Sequence, residues 1–288
     1  MYLNGEFLPK DKAKISPTDR GFLFGDGVYE AIPFYEGKPF GMDQHWKRLQ
    51  NGLNFLKIAY KDSREEFLKI CNQLLKMNVM DSVKRTMIYV QITRGAPPKR
   101  NHAFPSSDIK PTVYAFCQEI NYPTKEKWNQ GFTAITAPDR RWGRVDIKTV
   151  NLLPNCLAYQ DAKEQGCDDV VLVRDGIAME GAHNNFYVVT ENGTVVTHPT
   201  TSNILPGITR AILLEEARSH GIPVEERPIQ VEELRHIKEA FFTSTTSEVK
   251  PCISIDMKPA GDGKVGSVTK QLSSIFLARI ERDTGVSL

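Results

Sequence analysis

Two residues in this chain are best suited to covalent chemistry. One is a lysine in the stretch Asp146-Ile147-Lys148-Thr149-Val150-Asn151-Leu152-Leu153, and the other is Glu180, 32 residues further on in Met179-Glu180-Gly181. A lysine amine attacks carbonyl carbons only in its neutral form, and apolar surroundings favour that form. Most lysines are solvated surface charges. Lys148 instead has Ile147, Val150, Leu152 and Leu153 as sequence neighbours. An amine of this kind with an acid partner suits an aldehyde cofactor carried on a pyridine ring. The amine bonds the aldehyde as a Schiff base, and the acid keeps the ring nitrogen protonated so that electrons released at the substrate carbon have somewhere to go. Pyridoxal 5'-phosphate is such a cofactor. Lys148 would then also take the substrate Cα proton and return it to the cofactor's C4′ carbon.

A phosphate on that cofactor calls for backbone N–H groups and hydroxyls. Leu205-Pro206-Gly207-Ile208-Thr209-Arg210 is a glycine turn entering a helical pattern, which aims unsatisfied N–H groups and the positive end of the helix dipole outward. Ile208 and Thr209 are the expected cup, although the same residues would also serve as an ordinary helix start. Ser244-Thr245-Thr246-Ser247-Glu248 directly follows a strand-like run, at a strand's carboxyl end where α/β ligands commonly sit. Hydroxyl clusters otherwise mark simple loops.

These residues need elements to hold them. The sequence of 288 residues, 40% hydrophobic and 25% charged, is that of an ordinary globular protein with room for two domains. A net charge of +2, evenly spread, gives no nucleic-acid footprint and no attraction to an anionic membrane. No apolar run approaches the roughly 18 residues of a membrane span. The opening Met1–Glu6 has no basic region leading into a hydrophobic stretch, so a cytoplasmic protein with small-molecule partners is expected. Five cysteines without a CxxC pair read as reduced thiols, and Cys117 reads as core filling. His45, His198, His220 and His236 have no metal-ligand spacing.

The first third reads as α+β. An Asn-Gly turn lies between Leu3 and Leu8, and Gly27 to Tyr35 is a strand turning through Glu36-Gly37-Lys38. A helix begins with Asp43 as its N-cap and carries Trp46, Leu49, Leu53 and Leu56, and a second helix runs through Leu68 to Met77. Strands follow at 86–93 and 111–116, joined by a proline-rich, basic loop from Gly95 to Lys110. Asn121 to Lys127 is the linker candidate, giving an N-terminal domain at 1–120, a linker at 121–128 and a larger, cofactor-anchoring C-terminal domain at 129–288. In the latter, strands are expected at 132–137, 169–173, around Asn192-Gly193 and at 239–243, and helices at about 155–165, 209–220 and 268–280.

Lys148 and Glu180, the glycine turn and the hydroxyl loop together resemble the class IV aminotransferases, most closely the D-amino acid aminotransferases, almost end to end. The resemblance implies a two-domain fold of the type IV pyridoxal phosphate enzymes, with elements of α+β and α/β character. It also implies that Arg48 in His45-Trp46-Lys47-Arg48-Leu49 is the phosphate cation, that Leu205 packs on the cofactor ring, and that Ser244 and Thr245 are phosphate ligands. Arg100-Asn101-His102 resembles the Arg-x-His pair of D-amino acid aminotransferases. That pair reaches across a homodimer interface and, with a tyrosine that aligns with Tyr29, holds the substrate α-carboxylate. An arginine offers a carboxylate a planar fork, and a histidine adds a second donor.

The implied activity is transamination between a D-amino acid such as D-alanine and a 2-oxo acid such as 2-oxoglutarate, by a ping-pong route through Lys148. There are departures from the pattern. His183 replaces part of a serine-rich run, where it could tune the cofactor, touch a substrate side chain or fill surface. The loop before Arg100 is one residue longer through Ala96-Pro97-Pro98-Lys99, and Pro33 stands where the family often has a basic residue. A branched-chain L-amino acid aminotransferase or an (R)-amine transaminase would share Lys148, Glu180 and the phosphate cup, but Arg100 and His102 count against both. An aminodeoxychorismate lyase would use the same lysine, and a cofactor-binding protein without turnover is the alternative outside enzymes.

Overall fold

Asn4 and Gly5 both take left-handed backbone conformations, with φ of 51° and 99°, as a two-residue hairpin loop demands. The computed structural model describes residues 1–288, and in it this turn joins β1 (Tyr2–Leu3) to β2 (Glu6–Phe7). A short helix, α1 (Arg20–Phe24), precedes β3 (Gly27–Tyr35), which turns into β4 (Lys38–Pro39). Two helices follow, α2 (Met42–Leu56) and α3 (Arg64–Met77), and then the paired strands β5 (Thr86–Thr93) and β6 (Thr112–Glu119). The six strands form one antiparallel sheet in the order β2-β1-β6-β5-β3-β4. Leu49 and Leu53 of α2 and Phe67, Leu74 and Leu75 of α3 bury their side chains in one core with Val28, Ile32, Ile88, Val90 and Ile92 of the sheet.

The start of α2 differs from expectation. Gly41, left-handed at φ 65°, is the N-cap, and Asp43 lies inside the first turn. There its charge still favours the helix dipole, and its carboxylate takes a hydrogen bond from Arg64 at 2.5 Å. At α3, Ser63 and Glu66 form a reciprocal capping box.

The chain divides into two compact units. Met1–Asn121 is joined by the segment Ile147–Asn151, and the second unit comprises Tyr122–Asp146 and Leu152–Leu288. The lysine segment thus packs with the N-terminal unit. It lies along β3 through an isolated bridge between Val28 and Thr149, with the Tyr29 N–H donating to the Lys148 carbonyl at 3.0 Å and the Val150 N–H donating to the Gly27 carbonyl at 3.1 Å. Gly52 makes room for it, since a Cβ there would meet Val28 at 3.0 Å and Ile147 at 3.8 Å.

The second unit begins with α4 (Lys125–Gln130), which occupies part of the stretch read as linker, and β7 (Phe132–Pro138). Helix α5 (Leu153–Glu164) then leads to β8 (Asp169–Arg174), parallel to β7, and a tight turn gives β9 (Ile177–Ala178). Strands β10 (Asn185–Val189) and β11 (Val195–Thr197), helix α6 (Ile208–Ser219), and strands β12 (Val224–Glu226) and β13 (Ile229–Gln230) come next. The chain continues through β14 (Glu239–Ser244), β15 (Glu248–Ile255) and β16 (Lys258–Pro259) and closes with α7 (Ser267–Thr284). The mixed sheet has the order β12-β11-β10-β14-β15-β7-β8-β9-β13, with β16 beside β15. Strand β15 is absent from the sequence reading. Its interior Pro251 mimics a strand breaker, yet Phe241↔Pro251 is a pair in the middle of the sheet. No helix is long and apolar enough to cross a membrane.

Replacing Ser63 with Ala removes the side-chain acceptor that serves the Glu66 N–H, and with it half of the capping box. The loss should be about 1 kcal/mol. Urea unfolding followed by circular dichroism should show a lower midpoint with an unchanged slope.

Candidate active site

The first unit presents a lysine, a tyrosine and a buried carboxylate with its counterions. β3 places successive side chains on opposite faces, so Tyr29 and Glu30 point apart. The Lys148 Nζ lies 4.1 Å from the centre of the Tyr29 ring, which in turn stacks on Tyr89 at 5.4 Å. Lys148 is half-buried. The apolar surroundings read from its neighbours are only partly realised, because Ile147 packs on the core of the first unit whereas Leu153, in the first turn of α5, is 68% exposed. On the other face of β3, Glu30 is fully buried. It accepts from Arg48 Nε at 2.6 Å and a second guanidinium nitrogen at 2.8 Å, and it meets His45 Nδ1 at 2.8 Å. His45 and Arg48 are one helical turn apart on α2, which is why both reach the same carboxylate. Burial opposes ionisation of Glu30, but the charges and hydrogen bonds of Arg48 and His45 together outweigh it and hold the carboxyl well below its ordinary range. For His45, burial outweighs the attraction of Glu30, and its pKa falls below the ordinary value.

The second unit presents the other carboxylate. Glu180 leaves the hairpin of β8 and β9 and is 4% exposed. Its oxygens accept from Arg141 at 2.5 Å, from Asn185 Nδ2 at 2.9 Å and from the Leu205 N–H at 3.1 and 3.2 Å. Arg141 is itself fixed by Asp139, which also takes Arg174 at 2.9 Å. Burial pushes the Glu180 carboxyl up from its ordinary value, while Arg141 and the Leu205 N–H pull it back.

Asn185 ties the remaining pieces to this carboxylate. Its Nδ2 also donates to the Leu205 carbonyl at 2.9 Å, and its Oδ1 lies so close to Gly207 that a Cβ there would come within 2.0 Å. Asn185 pairs with Thr243 across β10 and β14, so the hydroxyl turn Ser244–Ser247 begins one residue from it. Ser244 Oγ and Ser247 Oγ are 2.7 Å apart. Gly207 is the N-cap of α6 and offers no capping side chain, which leaves the N–H groups of Ile208 and Thr209 without a side-chain cap. The Leu205–Gly207 turn that leads into Ile208 and Thr209 thus meets Asn185 and Glu180, and the turn carrying Ser244 and Thr245 follows the strand residue that pairs with Asn185.

Arg100 and His102 lie elsewhere in the first unit, exposed on the loop between β5 and β6. The structure brings them together around Phe24, with the Arg100 guanidinium 4.7 Å and the His102 ring 5.4 Å from the phenyl centroid. It does not bring them to Tyr29. His183 is also exposed, and its ring meets Tyr159 of α5 edge-on at 5.1 Å, while Asn155 of the same helix donates to the Ala182 carbonyl at 2.6 Å. His183 therefore helps to seat its turn on α5.

The donor sets suit the cofactor that the resemblance implies. A ring N–H needs a buried acceptor, which Glu180 is, and a phosphate needs N–H and hydroxyl donors on a backbone it can approach closely, which Gly207 allows. Sequence reasoning noted Asn185 only as a match to the family pattern and missed Asp139, Arg141, Glu30 and His45 as supports. Arg141 and Glu180 are 39 positions apart, and no local spacing announces such a pair. The one signal was chemical, since an acid meant to work in an apolar site needs a cation and hydrogen-bond donors.

The family model described as amino-transferase class IV matches residues 27–255. The D-alanine aminotransferase of Staphylococcus haemolyticus is 38% identical over 281 residues, covering 98% of both chains. That of Bacillus licheniformis is 37% identical over 284 residues, covering 99% of this chain and 98% of the other. Among solved structures, the branched-chain amino acid aminotransferase of Escherichia coli superposes with a TM-score of 0.88 at 25% identity, covering 98% of this chain and 94% of that one. A second branched-chain amino acid aminotransferase, solved with pyridoxamine 5'-phosphate, gives 0.86 at 26% identity, covering 99% and 93%. With the family model spanning most of the chain and full-length relatives well above 30% identity, the chain belongs to the class IV aminotransferases.

Proposed function

We propose that this chain catalyses pyridoxal phosphate-dependent transamination of D-amino acids such as D-alanine, with a 2-oxo acid such as 2-oxoglutarate as the second substrate. The observation that carries the chemistry is the buried Glu180 carboxylate, clamped by Arg141, Asn185 and Leu205. The relatives carry the choice of substrate. Proteins named D-alanine aminotransferase are 37% and 38% identical over nearly the whole chain, whereas the branched-chain enzymes that share its backbone are 25% and 26% identical.

When bound, pyridoxal phosphate supplies an electrophilic aldehyde carbon and a ring that accepts the electrons left by breaking the substrate Cα–H bond. Lys148 would hold the cofactor through its amine and, when that amine is free, would move the proton between the substrate Cα and C4′. Glu180 would accept the ring N–H. On this reading Arg48, held by Glu30, would supply the phosphate's cation, the N–H groups of Ile208 and Thr209 and the hydroxyls of Ser244 and Thr245 would be its donors, and Leu205 would pack on the ring. Arg100 and His102 of the partner subunit bind the α-carboxylate with Tyr29, which makes a homodimer the working unit. The placement of Arg100 and His102 on Phe24, away from Tyr29 of the same chain, supports that division. A cytoplasmic setting fits five cysteines with no disulfide among them.

The half-reaction tests the assignment. Adding D-alanine to the holoenzyme should convert the cofactor spectrum to that of the pyridoxamine form, with no such change on adding L-leucine or (R)-1-phenylethylamine. Conversion by L-leucine alone would sink the D-specific reading. Lys148→Ala should abolish turnover and remove the visible absorbance of lysine-bonded cofactor, so survival of that band would remove Lys148 from its role. Gly207→Ala should weaken binding of pyridoxal phosphate to the apoprotein by about tenfold or more, because the added methyl must displace Asn185 from the Glu180 and Leu205 groups it joins. Fluorescence titration gives the dissociation constant, and an unchanged value would mean that this turn is not part of the cofactor site.

A further inference from the structure

Arg20 is 4% exposed, yet none of its side-chain hydrogen bonds serves the core. Its Nε donates to Asp26 Oδ2 at 2.7 Å, and its two terminal nitrogens donate to three successive carbonyls of the loop between β5 and β6: those of Asn101, of His102 at 3.3 Å and of Ala103 at 3.3 Å. Asp26 is anchored from its other side by Arg94, through Nε at 2.7 Å and a terminal nitrogen at 2.9 Å. Arg94 in turn lies 3.5 Å from the centre of the Phe104 ring. The loop is drawn together at its stem as well, since Gly95, left-handed at φ 89°, approaches the Lys110 carbonyl so closely that a Cβ would come within 2.0 Å of it. Phe24 completes the arrangement. Its ring has the Arg20 guanidinium at 4.7 Å, Arg100 at 4.7 Å and His102 at 5.4 Å.

We infer that Arg20 is a positioning residue for substrate recognition: by gripping the carbonyls of residues 101–103, it fixes Arg100 and His102 on the Phe24 shelf as a preformed carboxylate receptor. The inference rests on the proposed role of Arg100 and His102. The physical reason is entropic. An exposed loop carrying a long arginine side chain must lose backbone and rotamer freedom when it binds a small anion, and a loop ordered beforehand does not bear that cost at binding. Only arginine suits the position. Its planar fork spans three carbonyls and a carboxylate at once, whereas a lysine ammonium can keep the Asp26 pair but has one nitrogen for everything else.

Arg20→Lys, prepared as holoenzyme, tests this beside Arg100→Ala and the double variant. Three quantities are read: KM and kcat for D-alanine, the inhibition constant of propionate as a carboxylate lacking the amine, and the cofactor absorbance. Arg20→Lys should raise KM and the propionate constant by about tenfold or more, while kcat and cofactor absorbance change less than about threefold. It should have little further effect in the Arg100→Ala background, because the two residues act as one unit. Unchanged KM and propionate binding in Arg20→Lys, or effects that multiply in the double variant, would overturn the inference while leaving the proposed function standing. If Arg100→Ala alone leaves both constants unchanged, the carboxylate assignment of the loop fails, and this inference fails with it. Should Arg20→Lys give no folded holoenzyme, Phe24→Leu keeps every Arg20 hydrogen bond and is read in the same way. A selective rise in both constants supports the shelf, and none overturns it.

Discussion

A carboxylate taken out of water costs several kcal/mol unless charge and hydrogen bonds compensate it, and Glu180 is such a group. Its compensation dictates the local structure of the second unit. Arg141 must be brought to it, and Arg141 is itself buried, so Asp139 at the end of β7 is needed to share the charge. Asp139 also takes Arg174 from the end of β8, and Arg174 donates to the Asn203 side chain at 2.9 Å, ahead of the Leu205–Gly207 turn. Asn185 closes the circuit by joining Glu180 to the Leu205 carbonyl. Segments far apart in sequence, at 139–141, 174, 180, 185 and 203–207, are therefore fixed by one polar network. Removal of any member would leave a buried charge or donor unpaired.

The first unit solves a similar problem twice. Glu30 on β3 is balanced by Arg48 and His45 from α2, and Asp26 just before β3 is balanced by Arg20 and Arg94. Both use an arginine fork, which restricts orientation as well as charge. The consequences differ. Glu30 orients Arg48, a side chain reaching out from a helix, whereas Asp26 orients Arg20 and Arg94, which hold the backbone and an aromatic side chain of a loop. The same pairing serves in one place to present a cation and in the other to immobilise a segment.

The sequence made the elements legible wherever one face is buried. The strands of both sheets with alternating or fully apolar runs and the helices with apolar residues at helical spacing lie within a few residues of expectation. Where tertiary context overrides local chemistry, the reading failed. Pro251 concealed β15, and the polar stretch taken as linker overlaps α4, whose Thr124 side chain caps it by accepting from the Lys127 N–H. Asp43 has the composition of an N-cap, but Gly41 can adopt the left-handed conformation that the chain needs after β4. In the site, the groups that would touch the cofactor were legible because their chemistry restricts residue type and local spacing. Arg141, His45 and Glu30 were not, because any of several acids or arginines could supply the same support from another element, and Asn185 was legible only as a match to the family pattern.

The distribution of these groups has a consequence for how a protein of this fold changes substrate. Most of the proposed cofactor ligands stand on strand ends, a helix terminus and a tight glycine turn, Arg48 lies within α2, and Lys148 lies on a segment tied to β3 by backbone hydrogen bonds, while a shift of one residue along a strand would turn every side chain to the other face. Arg100 and His102 stand on a loop whose place is set by Arg20 and Arg94, the Phe24 and Phe104 rings and a narrow stem, with no strand register to disturb. Backbones that superpose at a TM-score of 0.88 with 25% identity fit that division, since such a fold can keep its cofactor geometry while the groups facing substrate are replaced. On the proposed roles, the hand of the substrate depends on where the carboxylate is held relative to a fixed Lys148. The element deciding it is then the one whose sequence is least constrained by the fold, and its rigidity must come from side chains such as Arg20 rather than from secondary structure.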